Sequence, residues 1–270
     1  MTMKVGIVGA GNVATHLVKG LVKAGMEVSV INSRTIASAQ SLAQHAPAAA
    51  ITDSLNFKLS PPADIYLLAV PDRTLPQLLQ EVNFPEGVIV AHTSGTQPLE
   101  LLMSSLPGVE TGVFYPLQTF SKEKDVDWKP IPICIETSSQ HAELTLVNLG
   151  RLLSNQVVLM NGETRRKLHV AAVFACNFTN HLWGVAQDLL QKAELPVNLL
   201  EPLVQETVQK AFQFPPFSVQ TGPAKRGDSI TIDAHVQLLQ SEPQYLQLYQ
   251  VLTKSIQTVA ESEPFLGKQA

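Results

Sequence analysis

The sequence predicts an α/β fold, a doubly wound and mostly parallel sheet, followed by an all-helical C-terminal part. Three observations predict it. Short apolar runs alternate with amphipathic stretches up to about Met160, which is the rhythm of strands joined by crossover helices. Beyond Asn161 and Gly162 the alternation stops and only helix-period segments follow. The first apolar run also gives way directly to a glycine turn and a helix (KVGIVGAGNVA), the opening of a βαβ unit.

Each element has its own signal. Residues 4–8 are an apolar strand, and the helix after it carries Val13, Leu17, Val18, Leu21 and Val22 on one stripe before Gly25 closes it. Residues 27–31 (EVSVI) alternate as a second strand, and residues 36–45 read as a helix. A short strand is expected near residues 49–52. Residues 64–70 (DIYLLAV) are apolar nearly throughout, as a central strand should be, and Pro71 stops them. A helix over 73–82, strands over 87–91 and 109–114, a strand over 131–135, a helix over 138–153 and a strand over 156–160 complete this part. A long helical stretch then spans 163–193, with further helices over 198–212, 228–239 and 243–261. Between them, residues 214–227 (FPPFSVQTGPAKRG) read as a loop punctuated by Pro and Gly. The expected domains are therefore 1–160 and 161–270.

In the glycine turn each small residue has a physical role. Gly9 permits the tight turn out of the strand, Gly11 lets the backbone approach a pyrophosphate, and Ala14 lets the helix pack on the sheet. Amides at the helix start, from Asn12 and Val13 onward, face the phosphates along the favourable end of the dipole. This is the fingerprint of a Rossmann-type dinucleotide site. The second strand ends in Asn32, Ser33, Arg34 and Thr35, where NAD sites usually carry a carboxylate for the ribose hydroxyls. Here there is a guanidinium instead, able to pair with a phosphate and to stack on adenine. The cofactor expected is NADP rather than NAD. A plainer reading has Ser33 capping the next helix and Arg34 solvated.

Composition narrows the class. The chain has 270 residues, 45% apolar and 16% charged, with a net charge of −4, so a soluble globular protein with ample core is expected. No basic footprint for nucleic acid is present, nor a polybasic patch or apolar run for a membrane. No signal peptide is recognisable at the amino terminus, and the cytoplasm is the expected compartment. The two cysteines, Cys134 and Cys176, lie in no metal-ligand spacing and are expected as buried free thiols, and no metal site is expected.

Ligands of open α/β sheets bind beyond the carboxyl ends of the strands, so the strand ends name the candidate site. Ala69, Val70 and Pro71 end the fourth strand, where small and apolar groups can lie against ribose and nicotinamide. The fifth ends in the polar turn His92, Thr93, Ser94, Gly95 and Thr96. His92 is a candidate proton donor, with Ser94 beside it, although both can equally cap the following helix. On the long helix, an α-helical wheel brings His169, Val173, Asn177, Asn180 and Gly184 into one quadrant. His169 and Asn177 on that stripe can meet substrate, or satisfy the helical domain's own backbone. Lys225 and Arg226, in a glycine-framed loop, can hold a substrate anion, or simply be solvated, while Asp228 suits an N-cap.

Five segments together carry a resemblance: residues 6–14 (GIVGAGNVA), 69–72 (AVPD), 92–95 (HTSG), 114–120 (FYPLQTF) and 222–228 (GPAKRGD). With them the chain resembles bacterial proteins named as NADP oxidoreductases, which join a Rossmann-like NADP-binding domain to a helical domain of unassigned function. More distantly it is similar to pyrroline-carboxylate reductase and the β-hydroxyacid dehydrogenases, whose helical domains dimerise. The resemblance implies hydride transfer with NADPH in a cleft between the domains. One departure matters: the hydroxyacid dehydrogenases place a catalytic Lys one turn before an Asn, whereas Val173 stands there before Asn177.

The resulting expectation is an NADP(H)-dependent oxidoreductase acting on a small polar metabolite, and forming a homodimer through the helical domain. The alternatives are an imine reductase, and a nucleotide sensor without turnover. A hydrolase built on Ser94 would need a nucleophile-elbow sequence that is not present.

Overall fold

The structure, a computed structural model, describes residues 3–262. The chain divides into two compact units, Met1–Phe178 and Thr179–Ala270.

The first unit is built on an eight-stranded sheet: β1 (Lys4–Val8), β2 (Glu27–Asn32), β3 (Ala50–Thr52), β4 (Ile65–Leu68), β5 (Ile89–His92), β6 (Glu110–Pro116), β7 (Ile133–Thr137) and β8 (Val157–Leu159). Their order is β3-β2-β1-β4-β5-β6-β7-β8. The chain winds outward from β1 through β2 to β3, then returns to lay β4 on the other side of β1. The connections at the carboxyl ends of β1 and β4 therefore diverge and leave a crevice. Every pairing is parallel except β6 with β7. The reason is local: no helix forms between Pro116 and Ile133, and a parallel return needs a crossover of that kind.

Helices cover both faces of the sheet. On one face lie α1 (Asn12–Lys23), α2 (Ile36–Ala43) and α5 (Gln140–Leu153), packed through Leu17, Leu21, Leu42, Leu146 and Leu149. On the other lie α3 (Leu75–Glu81) and α4 (Leu99–Ser105), with Leu75, Leu79 and Leu102 against Phe57 and Tyr66. β4 shows how one strand serves both: Ile65 and Leu67 join the first core, and Tyr66 and Leu68 the second. As expected, Gly25 follows the end of α1 with φ +78°, the left-handed turn that a C-cap glycine allows.

The helical run expected over 163–193 is interrupted in its winding. It comprises α6 (Gly162–Ala172), a π-helical stretch (Val173–Phe178) and α7 (Thr179–Lys192). The expected domain boundary at 160 marks the end of β8, whereas the compact units divide at Phe178. The difference has a cause: Arg165 and His169 of α6 bond to groups of the sheet domain and tie the start of the helix to it.

The second unit holds α7, α8 (Glu201–Gln213), α9 (Pro223–Arg226), α10 (Ser229–Leu238) and α11 (Pro243–Ser262). The segment expected as loop over 214–227 thus contains a short helix, which starts at Pro223, where the fixed φ of proline suits a first turn. Asp228 caps α10, its carboxylate accepting from the Thr231 amide at 3.1 Å. Among the described residues of this unit only Ala224 is buried. Among the described residues, no helix is long and apolar enough to cross a membrane.

Candidate functional site

The crevice at the β1/β4 switch point opens into a cavity of about 620 Å³. Its lining brings together Gly9, Gly11, Asn32, Ser33, Arg34, Ala69, Val70 and Pro71 from three separate strand ends. Asn12 and Val13 stand at the start of α1, outside that lining.

Gly9 is required by geometry. Its φ is +114°, and a Cβ there would sit 2.3 Å from the Ala69 carbonyl oxygen, so no side chain fits where β1 meets β4. Gly11 is different: a Cβ would meet no protein atom within 4 Å. The fold makes no demand for glycine at that point, which instead faces the cavity. Gly11 is also the N-cap of α1 and supplies no side-chain cap, so the first-turn amides have no side-chain partner of that kind. A glycine cradle over an uncapped helix start fits a pyrophosphate. When bound, a nicotinamide dinucleotide would supply hydride chemistry here, held by the Gly9–Gly11 turn and α1.

The ends of β2 and β3 form the far rim. Arg34 is exposed on the cavity lining, and Ser33 is buried beside it. Ser33 does not cap α2, whose N-cap is Thr35. Asn32 is committed to the fold: its Nδ2 donates to the Ser54 carbonyl at 2.9 Å, and its own carbonyl accepts from the Gly9 amide at 2.8 Å. Among the lining residues not anticipated from the sequence, three are charged. Asp53 follows β3, and Arg73 and Glu81 flank α3 or end it. Their signal was weak because each is an isolated charge in an otherwise ordinary turn or helix end.

The polar turn after β5 is a tightly bonded loop. His92 has no exposed surface, and its Nδ1 accepts from the Ser94 amide at 3.1 Å, which places the neutral ring's proton on Nε2. Burial, and then the charge of Arg165, push its pKa down to about 4. Ser94 Oγ accepts from the amides of Thr96 (3.0 Å) and Gln97 (2.9 Å). The Thr96 hydroxyl donates to the Asp72 carboxylate, joining the loops after β4 and β5.

Arg165 of α6 locks this loop. It is fully buried and donates to the carbonyls of Ser94 and Gln97, each at 2.9 Å, and to Glu136 at 2.9 Å. Four residues on, His169 Nδ1 lies 3.0 Å from the Tyr115 hydroxyl. Burial, ahead of the smaller effect of Cys134, pushes the Tyr115 phenol up to about 12. The sequence places Tyr115 in the segment that ends the sixth strand, one of the strand ends expected to border the site, but assigns it no role of its own; the structure puts it near the carboxyl end of β6.

Two further readings change. Asn177 is exposed within the π-helical stretch, so a single α-helical wheel from His169 to Gly184 does not describe the helix: the widened winding re-phases every residue after Val173. Cys176, expected to be buried, is exposed in the same stretch, while Cys134 is buried as expected. Lys225 lies in the second unit on α9, beside a small cavity lined by Phe217, Ile256 and Val259. Arg226 faces Asp228 at 3.6 Å.

Comparison with known proteins places this geometry. Residues 1–117 match a Rossmann-like domain, and residues 131–256 match DUF2520, a domain of unknown function. A solved Bacteroides fragilis structure, named a "putative NADP oxidoreductase", is 37% identical, with 95% of this chain and 98% of that one covered and a TM-score of 0.86. Two more distant structures share the fold. The reductive aminase of Aspergillus terreus, in complex with NADPH and ethyl levulinate, has a TM-score of 0.69 at 12% identity, covering 97% and 95% of the two chains. A pyrroline-5-carboxylate reductase of Coxiella burnetii has a TM-score of 0.58 at 13% identity, covering 97% and 98%. None of the curated proteins matches the chain. With its Rossmann-like domain, its DUF2520 domain and this identity over almost its whole length, the chain belongs to the oxidoreductase family of the Bacteroides fragilis protein.

Proposed function

We propose that the protein transfers hydride between NADP(H) and a small polar metabolite. The observation that carries this reading is the cavity of about 620 Å³ that joins the glycine turn, Arg34 and the Val70–Pro71 strand end. Its glycine end suits a pyrophosphate, and its exposed guanidinium suits the 2′-phosphate that distinguishes NADP from NAD. Val70 and Pro71 offer apolar contact for the nicotinamide end. Asp53 on the same rim can accept from a ribose hydroxyl or an adenine amine, which adds to dinucleotide recognition without replacing Arg34.

Within that chemistry a C=N substrate is favoured over an alcohol. No lysine stands one turn before Asn177, so lysine-assisted alcohol oxidation lacks its base. The reductive aminase and the pyrroline-5-carboxylate reductase that share the fold are named for chemistry at carbon–nitrogen bonds. The test is to incubate the protein with NADPH deuterated at C4 and a panel of cyclic imines, keto acids with amines, and aldehydes. Deuterium appearing in a reduced product supports the reading. Tight NADPH binding with no transfer to any member would instead identify a nucleotide sensor.

A homodimer through the helical unit belongs to the same reading. Its helices α7, α8, α10 and α11 bury no described residue, and they expose Leu203, Phe212 and Ile230, Phe212 being 88% exposed, while Phe217 is exposed in the segment between α8 and α9. Apolar surface on this scale needs a partner, and a second copy supplies one with closed symmetry. Light scattering should give twice the chain mass, and Phe212→Asp should shift the population to monomer. A wild-type monomer at micromolar concentration would rule the dimer out.

A further inference from the structure

We propose that His169 is the general acid of the reaction and that Tyr115 is its positioning residue, the two forming a proton-delivery dyad at the carboxyl end of β6. This rests on the oxidoreductase reading above and names the groups that would complete it.

Placement along the sheet is the first argument. The cavity runs from the end of β2, at Arg34, across β1 to the end of β4, at Val70 and Pro71. β5 and β6 follow in the same direction with their carboxyl ends on the same edge. Tyr115 therefore stands two strand spacings, roughly 10 Å, beyond the Val70 end of the cavity. A dinucleotide held with its phosphate-bearing ribose at Arg34 would have its reactive end toward Val70 and Pro71, at the end of β4.

The second argument is that the fold is shaped around the pair. A Cβ on Gly95 would come within 2.5 Å of His169 Nδ1 and 2.9 Å of the Tyr115 ring, so the turn after β5 carries a glycine where it passes them. Arg165, one helical turn before His169 and with no exposed surface, clamps α6 to that same turn through Ser94 and Gln97. The rings of Tyr115 and His169 meet edge to face at 5.9 Å. His92, by contrast, is sealed beneath the loop, and Ser94 Oγ is occupied by two amides.

The chemistry then follows. With the phenol neutral, its oxygen accepts from His169 Nδ1–H, which fixes the ring and leaves Nε2–H to face the substrate. As the electrophilic carbon of a C=N or C=O bond takes hydride from the dinucleotide, the π pair moves onto nitrogen or oxygen. That atom takes the proton from His169 Nε2. The imidazole is left neutral with Nδ1–H still on Tyr115, and solvent returns a proton to Nε2. In the oxidative direction each transfer reverses.

Two measurements test the dyad. In long-range 1H–15N NMR without any nucleotide, Tyr115→Phe should shift the His169 Nδ1 resonance and leave those of His45 and His235 in place. An unchanged His169 spectrum overturns the pairing. In turnover with the acceptor found by the deuterium screen, His169→Gln should lower kcat by roughly 100- to 1,000-fold, and Tyr115→Phe by about 10-fold or more. KM for the acceptor and the NADPH affinity should stay within about threefold. Either variant keeping wild-type kcat overturns the assignment. If wild-type protein transfers deuterium to nothing, the oxidoreductase reading itself fails and the catalytic role with it, while the NMR measurement still decides the pairing independently.

Discussion

Below neutral pH, His92 should work against the fold. Its ring is fully buried with its pKa pushed down to about 4, while an unfolded chain returns it to about 6.5. Between these values the unfolded state binds the proton and the folded state does not. Stability is then fully present above about pH 6.5 and falls as pH drops toward 4. Each unit of that window is worth about 1.4 kcal/mol, so the whole window carries about 3 kcal/mol, of which about 2 kcal/mol is lost between pH 7 and pH 5. The informative variant is His92→Asn, whose amide oxygen can accept from the Ser94 amide as Nδ1 does but cannot be protonated in this range. Trp128 reports on the sheet unit, where it packs beside Phe120, and a Trp183→Phe background makes it the sole tryptophan. Urea unfolding of both proteins at pH 7 and pH 5 should show wild type losing about 2 kcal/mol more than His92→Asn. Any cavity left by the smaller side chain costs the same at both pH values and cancels. Parallel losses would refute the claim that His92 is held neutral.

Other perturbations follow from single contacts. Gly9→Ala places a methyl group 2.3 Å from the Ala69 carbonyl in a positive-φ position, and should cost at least about 2 kcal/mol by urea midpoint together with NADPH binding. Arg165→Met strips Glu136 and the Ser94 and Gln97 carbonyls of a buried partner, and should cost about 3–5 kcal/mol. A cycle with Glu136→Gln should show a coupling above about 1 kcal/mol, and additive effects would mean the ion pair is incidental.

The parts of the fold that were legible in the sequence are those with a repeating cause. β4 reads as a central strand because both its faces are buried, and the Gly9–Gly11 turn reads as a cofactor turn because Gly9 admits no side chain while a Cβ on Gly11 would meet only open space. α4 was hidden by its brevity: Leu99, Leu102 and Leu106 have helical spacing, but over less than two full turns. The wheel drawn through His169 and Asn177 assumed a uniform twist, and nothing in VFACNF announces the π-helical winding that breaks it. The exposure of Cys176 has a different cause, since an apolar helix implies burial only when something covers it. The Tyr115–His169 contact joins residues 54 positions apart, and Arg165 reaches Ser94 across 71. Such pairings arise from topology, so only the rule that strand ends gather at one edge could have pointed to them.

Tuning of the dinucleotide site to NADP by Arg34 is tested most directly by calorimetric titration of wild-type protein and Arg34→Ala with NADPH and NADH. A guanidinium–phosphate interaction worth about 1.5–3 kcal/mol predicts that wild type binds NADPH roughly 10- to 100-fold more tightly than NADH. Arg34→Ala should lose that margin for NADPH and leave NADH affinity unchanged. Equal affinity for the two nucleotides, unmoved by the substitution, would contradict a site tuned to NADP.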